Sequence, residues 1–201
     1  MGQTLSALIV VILAGTLAGI GAQVRPDFSG NWVLTSSTPE GTAALGTEFM
    51  ISQDAQAIQI NLVGIGFRSA SSGPGGTEMR YPVRITYELD GVEHPTKSIS
   101  EPPLPPPAPP RAGVMTSRTE ESISKATWAG DQLVIMLYNK SRTIAPDRTP
   151  ASVLTRQTVR QALSLDAQGS LVVESLIVAD PSPWGRKSTS PTPVRSIYKK
   201  N

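Results

Sequence analysis

Phe28-Ser29-Gly30-Asn31-Trp32 is the stretch on which the reading of this chain turns. Two large apolar residues bracket a glycine where a long apolar leader gives way to short runs of alternating, β-prone sequence. Upstream, residues 5–22 (LSALIVVILAGTLAGIGA) carry no charge and end in small residues, the pattern of a secretory leader cleaved after Ala22. Residues 1–22 are therefore expected to be a signal peptide, and residues 23–201 a single exported domain, periplasmic or secreted. The same apolar run reaches the lower edge of a membrane span. An uncleaved leader holding the chain at the membrane is the alternative, and the only route to membrane contact.

Downstream, residues 31–35 read as a first strand anchored by Phe28 and Trp32, with Gly30 allowing a close backbone approach to the indole. Residues 47–53 and 56–62 form an expected hairpin around Asp54-Ala55, with Ile58, Ile60 and Leu62 alternating against Gln59 and Asn61. Val83, Ile85, Tyr87 and Leu89 alternate in the same way before the turn signal Asp90-Gly91. A second hairpin is expected over 117–128 and 131–139, turning at Ala129-Gly130-Asp131. Residues 152–165 also fit a helix through Thr155, Val159 and Ala162. A long strand is preferred, because Val159, Gln161, Leu163 and Leu165 alternate and Asp166-Ala167-Gln168-Gly169 follows as a turn. Strands over 171–179 and 194–199 complete the chain.

This order predicts an all-β, antiparallel up-and-down barrel of about eight to ten strands, since closure removes exposed sheet edges. A two-sheet sandwich is the alternative. Two loops stand out. Residues 64–76 hold five glycines but neither GxGxxG nor a P-loop lysine. The stretch 101–111 (EPPLPPPAPPR) lacks ladder donors and reads as polyproline II, residues 102–110 extending roughly 28 Å.

Composition narrows function by exclusion. The 201 residues contain no cysteine, which removes disulfides, thiolate catalysis and Cys-ligated zinc. Residues 23–110 carry five Lys/Arg against nine Asp/Glu, and residues 111–201 thirteen against seven, giving −4 and +6. Few aromatic residues accompany the basic half as stacking platforms would, so no nucleic-acid partner is expected. His94 is the sole histidine, and no GxSxG elbow marks a nucleophile for it. Glu120 and Glu121 are strand neighbours on opposite faces and cannot flank one glycosidic bond. The chain is therefore expected to be non-enzymatic, with no metal and no cofactor.

The Gly30-Asn31-Trp32 step resembles the GxW signature of lipocalins, and Arg195 stands on the last strand where that family stacks an arginine over the tryptophan. The resemblance implies barrel closure by a Trp32–Arg195 cation–π contact. More of the chain is similar to exported bacterial proteins with a lipocalin-like domain: the Pro-Asp-Phe-Ser-Gly-x-Trp stretch over 26–32, a Ser-Lys-Ala-x-Trp-x-Gly-Asp-x-Leu hairpin over 124–133, and a closing Tyr-Lys-Lys strand over 198–200. It implies fold and export. The absence of cysteine and the proline insert depart from typical lipocalins.

Two functions follow as expectations. In the first, the barrel binds a small apolar or amphipathic ligand through Ile58, Ile60, Val83, Ile85 and Tyr87, with Trp184 in the loop after Asp180 as a contact residue. In the second, the barrel is filled by its own side chains and serves as an envelope structural module. It would then meet a protein partner through the glycine loop and through the proline stretch between Pro102 and Pro110.

Overall fold

The computed structural model describes residues 25–67, 79–100, 116–144, 151–181 and 191–201. The expected leader, the proline stretch 101–111, Trp184 and residues 68–76 of the expected glycine loop lie outside them, while residues 64–67 of that loop are strand, the end of the run Ala57–Phe67. Among the described residues there are eleven strands and no helix: β1 Gly30–Thr38, β2 Glu48–Gln53, β3 Ala57–Phe67, β4 Met79–Glu88, β5 His94–Pro95, β6 Lys97–Ser100, β7 Thr116–Ala129, β8 Gln132–Ile144, β9 Ser152–Leu165, β10 Leu171–Ala179 and β11 Val194–Lys200. The stretch with a helical alternative is the full-length strand β9, paired antiparallel on both sides with β8 and β10.

All eleven strands belong to one antiparallel sheet, ordered β5-β7-β8-β9-β10-β11-β1-β2-β3-β4-β6. β5 and β6 stand at opposite ends of that order, although Thr96 alone separates them in the chain. His94 and Pro95 pair with Ser124 and Ile123 of β7, and the Thr96 N–H donates to Ser122 O at 2.8 Å. From Lys97 the chain crosses over to pair with β4. One short stretch thus bonds both sheet edges in succession and brings the sheet round into a nearly closed up-and-down barrel. The sequence reading of eight to ten strands falls short of eleven because this stretch is split between two neighbours.

Three turns are built by one repeated device. Asp54 Oδ1 accepts the N–H groups of Gln56 (2.7 Å) and Ala57 (2.8 Å), Asp90 Oδ1 that of Val92 (2.9 Å), and Asp166 Oδ1 those of Gln168 (2.9 Å) and Ser170 (2.8 Å). Each carboxylate replaces a backbone acceptor at the corner. Those N–H donors hold Asp54, Asp90 and Asp166 below the usual carboxylate range, His94 also contributing at Asp90.

The stretch Phe28-Ser29-Gly30-Asn31-Trp32 plugs one barrel end. Phe28 is fully buried, stacks on Trp128 with centroids 5.8 Å apart and planes 11° off parallel, and accepts the Trp32 indole N–H on its carbonyl at 2.8 Å. Gln53 holds this strap in place: its Nε2 donates to Pro26 O (3.0 Å), its Oε1 accepts Phe28 N–H (3.2 Å), and its N–H donates to Ser29 Oγ (3.1 Å). Phe49, Ile51, Ile58, Leu133, Leu171 and Tyr198 pack above the plug, each no more than 2 % exposed. Phe49 meets Tyr198 edge-on at 4.7 Å.

The expected Trp32–Arg195 contact is corrected. The cation over Trp32 is Lys200, its Nζ 5.8 Å from the ring centroid, because the β1–β11 register sets Trp32 opposite Lys200 and Arg195 opposite Thr38. Arg195 is exposed on the outer face, 3.7 Å from Glu174. The register also explains Gly30: its φ is 145°, and a Cβ there would overlap Lys200 Cε. The close approach at this glycine is thus that of the lysine stem.

Candidate functional site at the barrel mouth

Directly opposed residues of an antiparallel sheet share a face, so rows of pairs trace the inner wall from the plugged end to the mouth. The first row, Trp128, Leu133, Leu163 and Val173, is apolar, and its last three members are fully buried. One step up, Ile135 is opposed by Gln161, and Gln161 by Ser175. Gln161 is 7 % exposed, and its Oε1 is buried with no hydrogen-bond partner. In an apolar surrounding such an acceptor costs about 1–3 kcal/mol, and it shares this state on the wall with the Trp128 indole N–H one row below.

Above Gln161 the wall opens. Leu137 and Val159 form the next row with Ile177. The first two are half-buried, and Ile177 is 49 % exposed although it faces inward. Ser122, Asn139 and Gln157 make the rim row, tied by Ser122 Oγ donating to Asn139 Oδ1 at 2.7 Å. Every inward position of β8, β9 and β10 is apolar or an uncharged polar residue, while Lys140, Arg142, Arg156, Arg160 and Glu174 alternate outward. The outer ions pair among themselves: Arg142 with Glu120 and Lys140 with Glu121.

Across the mouth, the β1–β2 connection folds into the barrel. The Ala44 N–H donates to Ser196 Oγ (3.0 Å) and the Leu45 N–H to Tyr198 Oη (3.2 Å), and both side chains pack on the core. This connection covers the β11 side. The partly open row lies on the β8–β10 side.

The sequence-predicted ligand residues fall on the opposite wall, on β3 and β4. Ile58, Ile60 and Tyr87 are core residues at 0 %, 1 % and 3 % exposure, and Val83 is buried at 7 %. Only Ile85 is half-buried. Burial pushes the Tyr87 phenol far up, so it stays neutral. These five side chains support the wall, whereas the half-open row on β8–β10 is marked in the sequence only by the glutamine and serine just below it, which interrupt apolar alternation.

A concavity lies at the β5–β7 seam. It is an open cleft of about 450 Å³ lined by Glu93, His94, Pro95, Glu120, Glu121, Ser122 and Ile123. His94 Nε2 meets Asp90 Oδ2 at 2.8 Å, and the Ser122 hydroxyl is engaged by Asn139. Of its acids, Glu120 pairs with Arg142 and Glu121 with Lys140. Among the described residues no group of three or more His, Cys, Asp or Glu is placed to hold a metal. Comparison with protein-family models, curated proteins and solved structures finds no match for the chain.

Proposed function

We propose that this chain is an exported, non-enzymatic, lipocalin-like carrier that holds a small apolar or amphipathic molecule in the mouth half of its barrel. The observation that carries this reading is the inner wall itself. The plugged end is packed by its own side chains, yet the inward Leu137, Val159 and Ile177 remain partly open beneath an uncharged polar rim. Concave apolar surface with a few convergent polar groups is what a small-molecule site requires.

Native mass spectrometry of the protein taken from an exporting host tests it, together with titration by Nile red, a neutral apolar dye. A discrete mass lost on denaturation, or saturable dye binding abolished by Val159→Lys, supports the carrier. Neither an adduct nor saturable binding, or binding indifferent to Val159→Lys, overturns it. The packed plugged half favours a second reading, an envelope module meeting a partner protein through its proline and glycine stretches. That reading gains if no ligand is held.

A further inference from the structure

Gln161 narrows the ligand chemistry within the carrier reading, on which this inference rests. Its Oε1 is a buried acceptor without a donor, and it lies at the foot of the half-open row, one step below Leu137 and Val159 in the β8–β9 register. Ser175 stands directly opposite it on β10 and is 6 % exposed. An unmet acceptor beneath a partly open apolar row can be met by a donor delivered from above as the side chains covering it part. The inward positions of β8–β10 carry no ionisable side chain, so a carboxylate or ammonium brought there would be desolvated without a counter-ion.

We infer that the ligand is an electrically neutral amphiphile bearing a hydroxyl or amide N–H at one end, and that it enters head-first. Its donor meets Gln161 Oε1 beside Ser175, and its apolar body lies along Leu137, Val159 and Ile177 toward the mouth. Free alcohols and primary amides share this head chemistry. A fatty acid and an alkylamine do not share it in their charged forms.

Four probes of equal chain length decide the matter by isothermal titration of the purified protein near neutral pH: decanol, decanamide, decanoate and decylamine. The expected result is that decanol and decanamide bind at least about tenfold tighter than either charged probe, a tenfold change corresponding to about 1.4 kcal/mol. Gln161→Met, similar in volume but without the acceptor, lowers neutral-probe affinity about fivefold to tenfold. Gln161→Glu shifts the preference toward decylamine. If either variant fails to fold in a thermal melt, the wild-type order of the four probes decides alone. Equal binding of charged and neutral probes overturns this inference and leaves the carrier reading standing. Neutral-probe affinity unchanged in a folded Gln161→Met does the same, since water then suffices for the acceptor. If no probe binds, the carrier reading falls and this inference with it.

Discussion

Replacing Phe28 with alanine tests the plugged end most directly. The phenyl ring is fully buried, lies parallel to Trp128 at 5.8 Å, and sits on backbone already fixed by Gln53 and the Trp32 indole. Phe→Ala in a core costs about 3–5 kcal/mol, the higher values where the surroundings cannot collapse into the space. Here the strap is tied on both sides and the ring stacks on an indole, so about 4 kcal/mol is expected. For a domain of this size that lowers the melting midpoint by roughly 8–16 °C. Urea unfolding followed by tryptophan fluorescence reads the loss directly, because Trp32 and Trp128 both report on the plug, and an unchanged m-value assigns it to stability. Phe28→Leu keeps most of the volume and loses about 1.5 kcal/mol or less. Below the unfolding transition, dye affinity at the mouth is unchanged in both variants. A loss under about 1 kcal/mol for Phe28→Ala would refute the plug, and dye affinity falling in step with stability would refute the separation of the two ends.

The cation over Trp32 gives a second test: Lys200→Met costs about 0.5–1 kcal/mol, whereas Arg195→Met stays within about 0.5 kcal/mol of wild type, and the reverse order would restore the arginine closure. Gly30→Ala, at a φ of 145° where a Cβ meets Lys200, destabilises by about 1–3 kcal/mol, and Lys200→Gly in the same chain recovers only the steric part. Acid should weaken the fold through its turns. Asp54, Asp90 and Asp166 are held below their usual pKa by the turn N–H donors, and Asp27 by the Ser29 hydroxyl and N–H. A carboxylate depressed in the folded state contributes stability that is fully present above its unfolded pKa, near 4, and is lost as pH falls through the folded value. The melting midpoint is therefore expected to be level above about pH 5 and to fall below about pH 4, less steeply in Asp166→Asn; a midpoint rising on acidification would exclude this origin.

Much of this fold can be read from period-two alternation and from the Asp and Gly residues at its corners. β2, β3 and β4 follow directly, because their inward residues are packed and most of their outward ones wet, and register then forbids a slip, whereas β9 needs the turn after it to exclude the helix that 152–165 also fits. The closing stretch His94–Ser100 escapes that reading for a physical reason. HPTKSIS does not alternate, carries a proline, and splits its hydrogen bonds between two partners, so no single neighbour imposes a pattern on it. The Lys200–Trp32 contact escapes too, because it depends on the β1–β11 register and on the irregularity between Leu34 and Ser36, neither of which composition encodes. The candidate site was half visible. Gln161 reads as one polar residue in the apolar series Val159, Leu163, Leu165, but sequence cannot say that the row above it is open while Ile58, Ile60, Val83 and Tyr87 on β3 and β4 are packed.

That asymmetry has a consequence for how the two halves of the barrel can change. Stability resides where the strap, Phe28, Trp32, Phe49 and Tyr198 interlock, and substitutions there alter the folded fraction through cavities and lost bonds. Near the mouth, Leu137, Val159 and Ile177 are only partly covered, so shortening them removes less buried area and leaves smaller voids than an equal change below. Affinity and stability should therefore separate along the barrel axis, and Gln161 and Ser175 mark the level at which they meet. A substitution series stepping from Leu133 through Ile135 to Leu137 tests this along one strand. Alanine should cost several kcal/mol at the first two positions and about 1–2 kcal/mol at the third, while dye affinity responds in the opposite order. If the third position is as costly as the first, the mouth half is core, and the chain is a filled barrel whose business lies on its outer surface.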